Sequence, residues 1–211
     1  MPTDRLTPID RWDGAPPEDR SRAITVVSGL PRTGTSMMMQ MLAAAGIEPY
    51  TDYRRRPDQD NPRGYFEHDQ AMGLRRDAAW LPLARGKAVK IVAPLLPYLP
   101  SGEQYRIVFM HRDLQDVLAS QRVMLERLNR AAANVPDAEL GRAFTLQLSA
   151  VRNWLEQAAG VQVLTFAYEE VVEDAHGAAA RLELFLGEPF NRAAAAAAVD
   201  ARLRHQGHRF H

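Results

Sequence analysis

The chain of 211 residues contains no cysteine, which excludes thiol nucleophiles, disulfides and Cys-ligated zinc or iron–sulfur centres, and fits a reducing compartment. Charge of one sign is equally lacking: 26 basic residues face 26 acidic ones. That balance argues against a dedicated binder of nucleic acid or anionic membrane, so any anion site must be local. No apolar run reaches the length of a membrane span, and the opening MPTDRLTPIDRWDG lacks the apolar core of a secretory leader. A cytoplasmic protein is expected. Lysine is nearly absent, with only Lys87 and Lys90 against 24 arginines. A lysine kept inside a strand of so arginine-rich a chain suggests a need for a compact ammonium there.

What is present is the material of one globular domain. The chain is 46% hydrophobic and 25% charged, and at this length roughly 70% of the unfolded surface can be buried without a structural metal. Residues 1–22 are rich in Pro, Asp and Arg and are expected to form a polar N-terminal arm, leaving 23–211 as a single domain with a basic tail.

The first strong element is AITVVS, Ala23–Ser28, a β-branched run that stops at Gly29 and Pro31 and reads as a buried strand. TSMMMQMLAAAG follows, a helix from Thr35 to the stop at Gly46. Residues 48–64 are too rich in Pro, Asp and Arg for a core element and have the length of a functional loop. Glu67–Leu81 has a composition compatible with a helix. Further strands are expected at Ala88–Val92, Tyr105–Met110 and Val161–Phe166. Helices are expected after His111, over Ala138–Ala159 and Ala175–Leu186, and from Ala193. Strands separated by helices, without hairpin signals, predict a three-layer α/β fold whose central parallel sheet has about four to five strands.

Gly29–Ser36, GLPRTGTS, has the spacing of the phosphate-binding loop G-x-x-x-x-G-K-[ST] between a strand and a helix. Thr35 stands where that motif has lysine, and the positive charge is at Arg32. Backbone N–H groups and a helix N-terminus can still hold an anion there. A simple tight turn remains the bland alternative.

LPRTGTS resembles the 5′-phosphosulfate loop of the sulfotransferase family. VFMHRDLQDVLAS, Val108–Ser120, is similar to that family's 3′-phosphate segment, with Arg112 ending a strand and Ser120 in the helix after it. KIVAP, Lys90–Pro94, matches a Lys-Thr-His-Leu-Pro segment at its Lys and Pro, with Val92 in place of the His. FAYEEVVEDAHGAAARLELFL, Phe166–Leu186, is similar to a Tyr-Glu-Asp strand end and the helix beyond. The resemblance spans about residues 23–187.

It implies a P-loop-like fold and transfer of a sulfuryl group from 3′-phosphoadenosine 5′-phosphosulfate to a hydroxyl or amine by in-line displacement. No metal is expected, and the only expected partner is a small-molecule acceptor. Pro31, Arg32, Thr33, Gly34, Thr35 and Ser36 would hold the 5′-phosphosulfate, Arg112 and Ser120 the 3′-phosphate, and Tyr168 the adenine. Arg32 and Lys90 would stabilise the leaving phosphate. Val92 cannot take a proton, and the resemblance implies Glu67 in GYFEHD as the base, since some sulfotransferases with the Pro-Arg form of the loop use a carboxylate after that first helix; His68, Asp69, Asp52 and Asp60 are the neighbouring candidates, and Glu67 could equally be a first-turn helix acid. Trp80 and Trp154 read as core or cleft wall. Arg54-Arg55-Arg56 reads as a solvated loop face or an acceptor-binding lid, and the basic tail 202–211 as a frayed end or a cover over the 3′-phosphate. Two other functions remain: a P-loop kinase or NTPase that lacks the usual lysine, and a non-catalytic module that binds the nucleotide. The sequence leaves the acceptor and the oligomeric state open.

Overall fold

The computed structural model describes residues 9–14, 19–56, 64–127, 136–187 and 189–200. The basic tail and Asp60 lie outside the described residues. Four strands, β1 (Ala23–Gly29), β2 (Ala88–Lys90), β3 (Gln104–His111) and β4 (Val161–Ala167), form one sheet in the order β2-β1-β3-β4, with every pair parallel. All seven residues of β1 are buried, as expected of a parallel strand covered on both faces, which cannot show polar alternation.

Alternate strand residues feed two apolar layers. Val27, Val108, Met110, Leu164 and Phe166 pack against α1 (Thr35–Ala44), α6 (Ala175–Leu186) and α7 (Arg192–Ala197). Ile24, Val26, Ile107, Phe109 and Val163 pack against α4 (Asp137–Gln157) and the 3₁₀ turns Leu81–Ala84 and Ala93–Tyr98. Trp80 belongs to this second layer and Trp154 packs against it, so both are core or wall residues. The result is the three-layer α/β architecture, with four strands.

Three local expectations change. Glu67–Leu81 holds only the single turn α2 (Asp69–Met72), because the chain turns at Gly73 and then buries Leu74, Trp80 and Leu81 in the second apolar layer through an irregular stretch that meets Pro82. Tyr168 does not merely end a strand: it opens a helix, α5 (Tyr168–Glu173), whose Val171 and Val172 are buried despite their β-branching. The third helix, α3 (Leu114–Arg127), starts only after a two-residue link from β3.

Irregular segments cover both sheet edges. On β4, Arg11 exchanges backbone hydrogen bonds with Val163 at 2.9 and 2.8 Å. Its guanidinium donates to the carbonyls of Leu155 (2.6 Å), Val161 (2.9 Å) and Ala158. Ile9, within the segment expected as an arm, is buried, and Asp10 accepts from the backbone and hydroxyl of Thr165. On β2, Tyr50 donates to Ala88 and Ala88 to Glu48. These pairings occupy the outer edge at Ala88 on one side and at Val163 and Thr165 on the other. Among the described residues no helix is long and apolar enough to cross a membrane.

Candidate active site

Strand order decides where a ligand can sit. The chain leaves β1 for β2 on one side and then crosses to β3 on the other, so the connections diverge between β1 and β3, and a crevice opens beyond the carboxyl ends of the strands. There a cavity of about 520 Å³ is lined by Pro31, Arg32, Gly34, Thr35 and Ser36 from the glycine loop, Lys90 and Val92 from the end of β2, Arg112 and Ser120 from β3 and α3, Tyr168 from α5, and Glu67 and Arg55 from the long connection.

The loop is built for close approach. Gly34 has φ +90° and a Cβ there would lie 2.7 Å from the Tyr168 ring; one on Gly29 would lie 2.5 Å from the Met110 carbonyl oxygen. Gly34 is also the N-cap of α1 and provides no side-chain cap, so the first N–H groups of the helix are not taken by a capping side chain. Arg32 holds a left-handed φ of +71°, a conformation that costs a non-glycine residue on the order of 1 kcal/mol and tends to persist at functional sites. Thr33, alone of the expected loop residues, does not line the cavity: it is buried and its hydroxyl donates to the Leu30 carbonyl at 2.8 Å.

Two clusters of charge lie on the cavity wall. On the β3 side, Arg32 Nε donates to Ser120 Oγ at 2.9 Å, joining residues 88 positions apart. Beside them the Arg112 guanidinium lies over the Tyr168 ring, 4.4 Å from its centre. Arg112 Nε is 3.4 Å from Glu169 and 3.8 Å from Asp116, yet buried with no hydrogen bond. Burial pushes the Tyr168 hydroxyl up, against the pull of Arg112.

On the β2 side, Lys90 donates to Ser36 Oγ at 3.0 Å and to the Tyr65 carbonyl at 3.1 Å, and lies 3.5 Å from Glu67. Only 10% of its side chain is exposed. Burial lowers its pKa, and the Glu67 carboxylate only partly offsets this. Arg55 Nη1 donates to both Glu67 oxygens at 3.1 Å, while its guanidinium lies 3.3 Å above the centre of the Tyr65 ring. Burial opposes the Arg55 charge, but Glu67 outweighs it and the pKa is raised.

Glu67 is not a first-turn helix acid, since it precedes the His68 cap of α2. Phe66 before it is left-handed at φ +53°. The Thr51 hydroxyl donates to the Glu67 carbonyl at 2.7 Å, and Asp52 accepts from the Asp69 N–H at 2.9 Å. The other acids are engaged elsewhere. Asp69 pairs with Arg54, and Asp52 is lowered by backbone N–H groups of Arg54 and Asp69 that outweigh its desolvation. His68 stacks on Tyr50, ring centres 4.6 Å apart, and its Nδ1 accepts from the Gln70 N–H. Arg54 and Arg55 are thus exposed, as a solvated face would be, and also paired, with Asp69 and Glu67. Tyr65, Gln121 and Asp200 were not assigned to the site from sequence, and no spacing rule signals them; Arg55, read only as part of a loop face or acceptor-binding lid, lines the cavity.

The sulfotransferase family model matches residues 102–192. This segment belongs to the sulfotransferase family. It runs from the turn before β3 to the start of α7 and carries Arg112, Ser120 and Tyr168. The glycine loop, Glu67 and Lys90 precede the matched sulfotransferase-family segment and share one cavity with it.

Among solved structures the chain is similar to the sulfotransferase domain from the curacin biosynthetic pathway, at 13% identity over 81% of this chain and 77% of that one, with a TM-score of 0.47. It is similar to the sulfotransferase domain of the Synechococcus PCC 7002 olefin synthase, at 16% over 84% and 78%, TM-score 0.48. A third is a sulfotransferase from Alicyclobacillus acidocaldarius, at 20% over 77% and 80%, TM-score 0.46. No curated protein matches the chain. Among the described residues no group of three or more His, Asp or Glu side chains is placed to hold a metal ion.

Proposed function

We propose that the chain transfers a sulfuryl group from 3′-phosphoadenosine 5′-phosphosulfate to a hydroxyl or amine of a small-molecule acceptor, with residues 23–211 as the catalytic domain and 1–22 as its arm. The observation that carries the proposal is the alignment of Ser36, Lys90 and Glu67 along one wall of the cavity, opposite Arg32, Ser120 and Arg112. The Arg112 guanidinium, which lines the cavity, and the uncapped start of α1 carry donors suited to two separate phosphate groups.

When bound, the donor supplies a sulfuryl group on a phosphate leaving group. Loop N–H groups with Thr35 and Ser36 hold the 5′ end, while Arg112 and Ser120 hold the 3′-phosphate and Tyr168 flanks the adenine. Lys90, compact and nearly enclosed, faces the bridging oxygen together with Arg32 and stabilises the negative charge left there as the sulfur–oxygen bond breaks. Glu67 takes the proton of the acceptor as its oxygen or nitrogen bonds to sulfur. Val92 lines the cavity and has no proton to exchange.

Calorimetric titration with 3′,5′-adenosine bisphosphate in EDTA, against ATP with magnesium, tests the proposal. Metal-independent binding of the bisphosphate with weak ATP binding is expected. Magnesium-dependent ATP binding with the bisphosphate silent would overturn it in favour of a kinase-like site.

A further inference from the structure

The cavity carries one cation more than the donor requires. Arg32, Lys90 and Arg112 all lie toward the glycine loop or β3, within reach of Ser36, Ser120 and Tyr168. Arg55 does not. It joins them through Glu67 and the Tyr65 ring: contacts run from Ser36 to Lys90, from Lys90 to Glu67 and from Glu67 to Arg55 at 3.0, 3.5 and 3.1 Å, and Lys90 Nζ lies 5.9 Å from the ring on which Arg55 rests. A group past the carboxylate that receives the proton belongs to the acceptor's half of the cavity.

The presentation of Arg55 is specific. Its guanidinium is spread on the Tyr65 ring, which fixes the plane of the fork, and its pairing with Glu67 uses Nη1 alone. Glu67 is its only carboxylate partner among the described residues. Its side chain is 44% exposed, which leaves it accessible from solvent while lining the cavity. A planar guanidinium held flat on an aromatic ring is the form in which arginine recognises carboxylate, phosphate or sulfate with two parallel hydrogen bonds. Glu67 meanwhile sits between two cations, Arg55 at 3.1 Å and Lys90 at 3.5 Å.

We infer that the acceptor carries an oxyanion of its own close to the hydroxyl or amine that is sulfated, and that Arg55 binds this oxyanion. The inference rests on the sulfotransferase reading of the cavity. An acceptor anion at Arg55 draws the guanidinium away from Glu67, so that binding of the correct acceptor loosens the carboxylate as the reacting hydroxyl arrives beside it. A neutral alcohol leaves Arg55 on Glu67 and meets a base that is still paired. The charge of the acceptor thereby becomes a condition for proton removal as well as for affinity, a form of discrimination in which binding energy is spent on the reacting centre.

The experiment uses the full chain saturated with 3′,5′-adenosine bisphosphate and titrated with pairs of probes that differ only in charge: short aliphatic and aromatic hydroxy acids against their amides, and phosphate monoesters of simple diols against the methylated diols. Binding of the bisphosphate alone tests the sulfotransferase reading, and its absence would sink that reading first. With the bisphosphate bound, at least one anionic probe is expected to bind roughly tenfold or more tightly than its neutral partner, the ordinary worth of a charge-assisted hydrogen bond. Comparing the carboxylate and phosphate pairs tells which oxyanion is favoured. Arg55→Gln is expected to remove the preference while keeping bisphosphate affinity, and Arg55→Lys to restore only part of it. Equal binding of charged and neutral partners across all pairs, no binding of any anionic probe, or a preference that survives in R55Q would each overturn the inference.

Discussion

Replacing Lys90 with methionine should separate catalysis from stability. The ammonium is about nine-tenths enclosed, so its field is poorly screened, yet its carboxylate partner among the described residues, Glu67, keeps a second partner in Arg55. A unit charge at about 4 Å in an environment of effective dielectric 20 is worth about 4 kcal/mol. With roughly half a charge developing on the leaving oxygen, and a hydrogen bond of about 1 kcal/mol lost, the barrier rises by roughly 3 kcal/mol. Turnover should therefore fall about a hundredfold or more, measured as release of 3′,5′-adenosine bisphosphate under single-turnover conditions. Stability should move little, within about 1 kcal/mol, because the burial cost of the ammonium disappears along with its bonds. The pH dependence fixes the sign. Burial lowers the Lys90 pKa in the folded chain below its ordinary 10.5, so the charged amine opposes folding below the folded pKa, and this cost fades as pH rises from there toward 10.5. Wild type should gain stability relative to K90M across that interval in urea titrations. A K90M enzyme within a few-fold of wild-type turnover would refute the leaving-group role, and a wild type that loses stability relative to K90M as pH rises across that interval would refute the burial argument.

Three further outcomes follow from the same geometry. Arg112→Ala should weaken 3′,5′-adenosine bisphosphate by roughly tenfold or more and leave adenosine 5′-phosphate nearly unchanged, since only the first presents a 3′-phosphate; equal losses in calorimetry would remove Arg112 from that role. Gly34→Ala should cost about 2 kcal/mol or more, because a Cβ at φ +90° also meets the Tyr168 ring at 2.7 Å, and an unchanged urea midpoint would show that the loop relaxes freely. Arg11→Ala removes donors to three carbonyls beside β4 and should destabilise by roughly 2 kcal/mol; hydrogen exchange of the Val163 amide should accelerate, and unaltered exchange would mean the strap contributes no protection.

The parts of the fold that could be read from sequence are those where one local signal governs. A continuous apolar run bounded by Gly29 and Pro31 can only be a buried strand, and the hydroxyl-to-glycine frame around TSMMMQMLAAAG leaves little choice but a helix. Glu67–Leu81 misled because its helix-compatible composition competes with the turn at Gly73 and with Pro82 at the start of the next 3₁₀ turn. The turn into α5 at Tyr168 was hidden because YEEVVE has strand-like valines whose burial is set by neighbouring helices. In the candidate site, strand ends such as Lys90 and Arg112 were legible as positions. The pairing of Arg32 with Ser120, and of Arg55 with Glu67 over Tyr65, was not: each depends on a crossover or a left-handed turn that no spacing encodes. Residues 9–13 read as polar surface because an edge strap shows no periodicity.

The central place of β1 also bears on how the chain is assembled. Both of its sheet neighbours come later, β2 at residue 88 and β3 at residue 104, so the first strand synthesised must wait for some sixty to eighty residues before any ladder can close around it. Neither wall of the cavity exists before that closure, because one descends from the end of β2 and the other from the end of β3. A ligand that bridges the two walls would then act as a clamp on the middle of the sheet, and its affinity would be drawn from, and returned to, the cooperative folding of the whole domain.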